Sequence, residues 1–312
     1  MKAAVLEHYG SPQQFKIKDV DAPKLKSGQI LIRNYASSVN PIDALVRQGT
    51  LRFASGLWGN AVIGCDFGGV VVESQSSRFQ VGDEVFGFVS PMTGHAYAEQ
   101  VAVQENVAAL KPANLSYIEA AALPMVSLTA YQGLTAKGRL RAGQRVLING
   151  CTGGVGAAAV QIAKALGAHV TGTCQGGRRA VARELGCDEV LDYHTQSIPQ
   201  NHSFDLIFDT AAKLTLSQVE KSLTSTGLLV TTKPAYSNLT SAFSSAIDLL
   251  KPRMKMVQAK SKSEDLVKIK ALVEQGQLKP IIAQAFPLEE IAKAHELLAR
   301  GGFVGKVAVE IG

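Results

Sequence analysis

Paired cysteines, metal-ligand spacing, long apolar runs and aromatic platforms are all scarce in this 312-residue sequence. Each scarcity excludes a class of protein. The four cysteines, Cys65, Cys151, Cys174 and Cys187, are scattered and form no C-x-x-C pair, which argues against a structural zinc site and a disulfide framework. They are expected to be reduced thiols, mostly buried. No segment approaches the roughly 20 consecutive apolar residues of a membrane-spanning helix. Met1 to Glu7 is too short in apolar length and too soon charged for a secretory signal, so a soluble, cytoplasmic protein is the expectation. Aromatics make up only 6% of the chain, with a single tryptophan. The net charge of +6 could suit nucleic acid or a membrane surface. Yet its two basic clusters, Lys137, Arg139, Arg141 and Arg145, and Lys251, Arg253, Lys255, Lys260 and Lys262, lack interleaved aromatics on which bases could stack. They read as solvated surface with some attraction for an anionic cofactor, so neither membrane nor nucleic acid is an expected partner.

What the chain does have is 46% hydrophobic residues and enough length for two domains or one large one. The first ~110 residues read as short strands separated by turns, which suggests a barrel. Expected strands are Met1 to Leu6, Phe15 to Val20, Gln29 to Tyr35, Val70 to Glu73, Glu84 to Phe88 and Tyr97 to Val103. Pro41 suits the first position of a short helix running to Gln48. From Ser116, which forms a capping-box pattern with Glu119, the period becomes helical, with further helix expected over 127–136. Strands and helices then alternate: strands 145–149, 169–173, 189–191, 204–209 and 227–232, and helices 155–166, 178–185 and 213–223. Strand–helix alternation of this kind means a parallel doubly wound sheet. The last part predicts a helix over 265–275 capped by Ser263, a strand over 279–285, an amphipathic helix over 288–299 and a closing strand over 307–311. No long linker separates the two parts, so a cleft between them is the expected ligand site.

The most informative stretch is Gly150-Cys151-Thr152-Gly153-Gly154-Val155-Gly156. It follows the buried-strand pattern Arg145 to Asn149 and opens the alanine-rich helix that stops at Gly167. Strand, glycine turn and helix is the context that a dinucleotide site requires. Gly153 lets backbone approach a pyrophosphate, Gly156 lets the helix lie close on the strand, and the helix N-terminus offers free N–H groups. An NAD site ends its second strand on a carboxylate for the ribose 2′-hydroxyl. Here that strand runs into Thr173-Cys174-Gln175-Gly176-Gly177-Arg178-Arg179, with no carboxylate and two arginines. A guanidinium matches a phosphate through paired hydrogen bonds. Cations at a helix start also oppose its dipole, so the pair asks for a functional reason. The expected cofactor is therefore NADPH.

With these residues in view, the chain resembles the zinc-independent quinone oxidoreductase branch of the medium-chain dehydrogenase/reductase superfamily, near its zeta-crystallin-like and enone oxidoreductase members. The resemblance covers nearly the whole chain. It rests on Ser38-Val39-Asn40-Pro41-Ile42-Asp43, Gly64-Cys65-Asp66-Phe67-Gly68-Gly69, Val81-Gly82-Asp83-Glu84-Val85-Phe86-Gly87, Ala121-Ala122-Leu123-Pro124, Leu128-Thr129-Ala130-Tyr131, Gly153 to Gly156, Asp188 to Tyr193, and Gly305-Lys306-Val307. It implies an α/β chain: a GroES-like β-barrel domain over 1–117, completed by 276–312, and a Rossmann doubly wound parallel sheet domain over 118–275. It also implies a homodimer that uses NADPH to reduce quinones or the C=C bond of α,β-unsaturated carbonyls.

Residue by residue, the resemblance makes Asn40 the asparagine facing nicotinamide and substrate carbonyl, and Thr129 the threonine beside the nicotinamide. Gly153, Gly154, Val155 and Gly156 match the pyrophosphate turn. Gln175, Arg178, Arg179 and Tyr193 match the region of the 2′-phosphate, and Lys306 a basic residue close to the cofactor. In zinc-dependent relatives a cysteine stands at the Asn40 position, a His–Glu pair at Cys65-Asp66 and a second cysteine near Met125, so no metal is expected here. Two departures stand out. Cys151 replaces the turn's first glycine, with no evident role. Leu45 stands where many quinone reductases carry a tyrosine, which leaves no obvious proton donor. The loop 49–60, with Arg52, Phe53 and Trp58, is a candidate cover for the substrate. Asp66 is open between bracing the barrel and acting on substrate, His95 between donating to a substrate oxygen and being a loop histidine with no role, and His295 reads as structural. Two rival readings are an enoyl-thioester reductase and a crystallin-like NADPH-binding protein with affinity for single-stranded RNA.

Overall fold

The computed structural model describes residues 1–52, 60–92, 94–232 and 252–312. Its strands are β1 (Lys2–Leu6), β2 (Phe15–Asp19), β3 (Gln29–Val39), β4 (Ala61–Val62), β5 (Asp66–Ser74), β6 (Glu84–Phe88), β7 (Gln100–Gln104) and β8 (Ala108–Leu110), followed by β9 (Arg145–Asn149), β10 (His169–Cys174), β11 (Glu189–Asp192), β12 (Phe204–Asp209), β13 (Leu223–Thr231), β14 (Met254–Met256), β15 (Ile282–Pro287) and β16 (Lys306–Glu310). The described α-helices are α1 (Pro41–Arg47), α2 (Tyr117–Ala121), α3 (Pro124–Gln132), α4 (Gly154–Ala165), α5 (Arg179–Glu184), α6 (Leu216–Val219), α7 (Ser263–Glu274) and α8 (Ile291–Arg300).

These elements form two compact units. The first comprises Met1–Met125, Ser261–Glu274 and Pro280–Gly312. It holds a three-stranded sheet, β2-β1-β4, and a larger sheet in the order β15-β16-β3-β5-β6-β8, with β7 also pairing with β3. The long strand β3 is the hub, because three strands bond to it: β5, β7 and β16. Its register with β16 sets Val39 opposite Val307, which brings Lys306 to the point where β3 gives way to α1. One core of this unit gathers Leu6, Phe15, Val39, Tyr97, Phe286, Leu297 and Val307; a second gathers Ile30, Ile32, Phe67, Val71 and Val85.

The second unit comprises Val126–Lys260 and Gln275–Lys279. Its six strands lie in the order β11-β10-β9-β12-β13-β14, every described pairing being parallel. Counted within the unit this is 3-2-1-4-5-6, the dinucleotide-binding order, whose direction reverses between β9 and β12. The apolar runs of β9 and β12 are buried on both faces, as a parallel sheet demands.

Some elements differ from the sequence expectation, each for a local reason. The helix expected over 213–223 is only α6, because the Asp209 carboxylate draws in the Leu214 N–H at 2.8 Å and the capping box of Thr215 and Gln218 starts the helix late. Ser263 is the first residue of α7 rather than its cap; Lys262 O accepts the Asp265 and Leu266 N–H groups, while the Ser263 hydroxyl accepts from Arg78 at 2.6 Å. The strand expected over 279–285 runs instead over Ile282–Pro287, in register with β16. The capping box at Ser116 is present as read, although its helix ends at Ala121. Of the residues singled out in the sequence, Phe53 and Trp58 of the loop 49–60 and Lys251 of the second basic cluster lie outside the described residues.

Candidate active site

In the first unit the carboxyl end of β3 gathers a buried polar cluster. Asn40 precedes α1, whose Asp43 carboxylate reaches back to the Asn40 backbone N–H at 2.9 Å. The Asn40 side chain turns the other way. Its Nδ2 donates to Asp66 Oδ2 at 2.8 Å, and its Oδ1 accepts from Lys306 Nζ at 2.5 Å. Lys306 also donates to Val39 O at 2.9 Å and stands 3.9 Å from Asp66 Oδ2. Asp66 accepts further from Ser38 Oγ at 2.5 Å and from the Met125 N–H at 2.8 Å. Asn40, Asp43 and Asp66 are at most 1% exposed and Lys306 6%.

Burial sets the protonation behaviour of this cluster. It pushes the Asp66 carboxyl up, against the pull of Lys306 and of the Ser38, Asn40 and Met125 donors. It pushes Lys306 down, against the Asp66 and Asp43 carboxylates. Asp43 rises to about 6, mainly through burial, with hydrogen bonds from Cys65 and the Asn40 backbone opposing. The Cys65 thiol donates to Asp43 Oδ1 at 2.9 Å and the Tyr97 hydroxyl to Asp43 Oδ2 at 3.0 Å. Burial also pushes both Cys65 and Tyr97 up, so neither is a ready nucleophile or acid.

In the second unit the glycine turn lies beside the point where the strand order reverses. Gly150 follows β9 with φ +83°, a conformation that favours glycine. Its N–H donates to Thr173 Oγ1 at 3.1 Å. Thr173 donates to Asn149 Oδ1 at 2.6 Å, and Asn149 Nδ2 donates to Asp209 Oδ1 at 2.8 Å. The ends of β9, β10 and β12 are thereby tied together around the turn. Gly153 caps α4, and the first backbone N–H groups of this 12-residue helix have no acceptor within it. A Cβ on Gly156 would stand 2.0 Å from Gly150 O, so only glycine allows this close approach. A pyrophosphate fits such a cradle. Thr129 lies elsewhere in this unit, on α3, 8% exposed.

Gln175, Arg178, Arg179 and Tyr193 gather where β10 and β11 end. Gln175 and Arg179 are exposed and Arg178 is half-buried; Arg179 donates to Gln196 Oε1 at 2.8 Å. Tyr193 is 54% exposed and packs against His194, with ring centroids 4.5 Å apart. The structure adds a carboxylate that the end of β10 lacks in sequence. Asp192, at the end of β11, lies so close under Gly176 that a Cβ there would meet Asp192 Oδ2 at 2.3 Å.

Cys151 also gains a role. Its side chain is fully buried, and a Cβ on Gly172 of β10 would stand 2.7 Å from its Sγ. The bulk added to the turn is accommodated by a glycine on the neighbouring strand. The same missing side chain admits Cys187 Sγ, at 2.6 Å from that Cβ position, and all four cysteines are free and buried.

Ser38, Asn149, Thr173 and Asp209 were not singled out as site residues from the sequence. Their signal is weak, because each acts through a partner more than 20 positions away. Lys306, expected near the cofactor, has its ammonium engaged by Val39, Asn40 and Asp66. Among the described residues no group of three or more His, Cys, Asp or Glu side chains is placed to hold a metal ion. The donors around Asn40 also do not fit zinc, since Cys65 serves as a donor to Asp43, Asp66 is occupied by three donors and an ammonium stands beside it.

A family model described as an alcohol dehydrogenase GroES-like domain matches residues 26–113, and one described as a zinc-binding dehydrogenase matches residues 185–309. The chain is 31% identical to a chloroplastic quinone-oxidoreductase homolog of Spinacia oleracea, over 96% of this chain and 95% of that one. It is 32% identical to a 2-methylene-furan-3-one reductase of Solanum lycopersicum, over 99% of this chain and 79% of that one. Among solved structures, the quinone oxidoreductase from Coxiella burnetii superposes with a TM-score of 0.86 at 30% identity, covering 100% of this chain and 99% of that one. The two-domain fold, GroES-like and Rossmann, is therefore shown.

Proposed function

The chain belongs to the medium-chain dehydrogenase/reductase superfamily, in its quinone oxidoreductase branch, and from that premise we propose an NADPH-dependent, zinc-free reductase of quinones or of the C=C bond of α,β-unsaturated carbonyls. That it is an oxidoreductase follows from the family. NADPH, the substrate class and the absence of zinc are the proposal. The observation that carries it is the Asn40 amide held between Lys306 and Asp66, with an ammonium where a catalytic metal would need ligands. Such a site has no Lewis acid for an alkoxide, but it offers a fixed N–H to a carbonyl oxygen.

The cofactor supplies a hydride from its nicotinamide. The Gly153–Gly156 backbone and the N-terminus of α4 bind its pyrophosphate. Arg178 and Arg179, with Gln175 and Tyr193 beside them, receive the 2′-phosphate. Thr129 would lie by the nicotinamide. Asn40 donates to the substrate carbonyl, and this hydrogen bond strengthens as negative charge gathers on the oxygen. No side chain is assigned as proton donor; the proton would come from solvent or the cofactor ribose. A homodimer and a cytoplasmic location belong to the same proposal.

Steady-state turnover of NADPH and NADH with a panel of quinones, 2-alkenals and enones tests it. Arg178→Ala should lower the preference for NADPH roughly tenfold or more, the value of a charge-assisted hydrogen bond. An unchanged preference removes the phosphate assignment. Stoichiometric zinc in the purified protein, lost with activity on chelation, removes the zinc-free reading.

A further inference from the structure

An asparagine amide can usually rotate by half a turn and exchange its oxygen for its nitrogen at little cost. Asn40 cannot. Lys306 Nζ is only a donor, so the atom 2.5 Å from it must be Oδ1. The Asp66 carboxylate only accepts, so the atom 2.8 Å from Oδ2 must be Nδ2. Turned over, the amide would set N–H groups against an ammonium and an oxygen against a carboxylate, both repulsive at low exposure to water. The anchors are themselves anchored. Ser38 Oγ and the Met125 N–H fix the two Asp66 oxygens, and Val39 O fixes Lys306. Residues from β3, β5, β16 and the start of α3 thus converge on one amide. Beyond these bonds the Asn40 amide has one further N–H to donate.

We propose that Asp66 and Lys306 are positioning residues that lock the Asn40 amide in one orientation, so that its remaining N–H faces the substrate carbonyl in every turnover. This rests on the reading of Asn40 as the carbonyl-binding group. Lys306 acts through Asn40 and does not hold the cofactor. Its hydrogen bond to Oδ1 also polarises the amide, which strengthens the outward N–H as a donor to a developing enolate oxygen.

The test uses the full chain with NADPH, trans-2-hexenal and 1,4-benzoquinone, in five variants: Asn40→Ala, Lys306→Met, Lys306→Gln, Ser38→Ala and the Asn40→Ala/Lys306→Met double. Readouts are kcat, KM, the NADPH Kd from cofactor fluorescence, and the thermal melt. Lys306→Met should lower kcat about 10- to 100-fold, the range for a mispositioned transition-state donor. Its NADPH Kd should stay within about threefold of wild type, less than one lost hydrogen bond to a charged group. Lys306→Gln keeps an N–H for Asn40 Oδ1 and should recover most of the loss, which a purely structural role of the charge would not allow. Ser38→Ala should lower kcat in the same direction by less. The Asn40→Ala/Lys306→Met double variant should be no slower than Asn40→Ala alone, since residues acting as a unit are not additive.

A Lys306→Met enzyme turning over at the wild-type rate, beside an impaired Asn40→Ala, overturns the positioning role alone. An NADPH Kd about tenfold weaker makes Lys306 a cofactor contact and also overturns it. Asn40→Ala at the wild-type rate overturns the reading beneath both. Removing the cation beside a buried carboxylate can unfold a protein. If Lys306→Met does not fold, wild-type kcat in Ser38→Ala overturns the proposal.

Discussion

His295 lies on α8 with no exposed surface and with neither ring nitrogen hydrogen-bonded. Its ring stacks against Phe15, with centroids 4.9 Å apart. Burial first, and the nearby Arg47 second, push its pKa from 6.5 to about 3. The sign follows from linkage. The unfolded chain takes up this proton below about 6.5 and the folded chain does not until about 3, so stability falls as pH drops across that window. Asp43 acts in the opposite sense. Its folded value of about 6 exceeds its ordinary 3.8, so the folded chain takes up that proton first and gains stability as pH falls from 6 to 4. The two partly cancel in wild type. His295→Leu removes the loss and keeps the gain, so its urea midpoint should exceed that of wild type at pH 5 by more than at pH 7. A constant difference across pH would place the burden elsewhere. Residues were also where sequence reading reached least far. Asn40 and Asp66 were singled out, but the bond between them was not legible, because nothing in the spacing of 40, 66 and 306 reports that β16 lies against β3. Asp192 escaped for the same reason: β11 lies beside β10 and delivers its carboxylate under a turn from another segment.

Elements were read better, since their signal is local. The β9–turn–α4 segment is close to its expectation because an apolar run, a glycine cluster and an alanine-rich face each specify one backbone state. Strand β10 and helix α5 also lie where the alternation put them. Misplaced boundaries arose where a side chain from elsewhere intervened, as Asp209 does ahead of α6 and Arg78 at the first turn of α7. Among the closest approaches in the described residues is that of α4 to its own turn. Gly156→Ala would drive a methyl into Gly150 O and force the helix outward. NADPH affinity should fall by more than about tenfold, with a loss of stability of roughly 1–3 kcal/mol from overpacking. Cofactor fluorescence titration and a thermal melt read both, and an alanine variant that binds normally would show that the turn tolerates the shift.

At the scale of the molecule, the fold class was legible from the change of period alone, a β-rich part followed by alternating strands and helices. The substrate was not, because quinones and enones ask for the same carbonyl donor and differ only in shape. Charge makes a further prediction here. The chain carries +6, and the cofactor proposed for it adds a phosphate to the dinucleotide. NADPH binding should therefore weaken with added salt more steeply than NADH binding, as screening shortens from a Debye length of about 10 Å at 0.1 M to about 3 Å at 1 M. Equal salt slopes in two fluorescence titrations would count against an electrostatic basis for the choice. A last consequence concerns birth rather than turnover. Asp66 leaves the ribosome about 240 residues before Lys306, a delay of roughly 10–50 s at typical synthesis rates. All of Val126–Lys260, the bulk of the second unit, is made within that interval. The nascent chain thus carries an asparagine and a carboxylate waiting for their cation, and the place where chemistry is proposed is finished only when one of the last strands, β16, is laid against one of the first, β3.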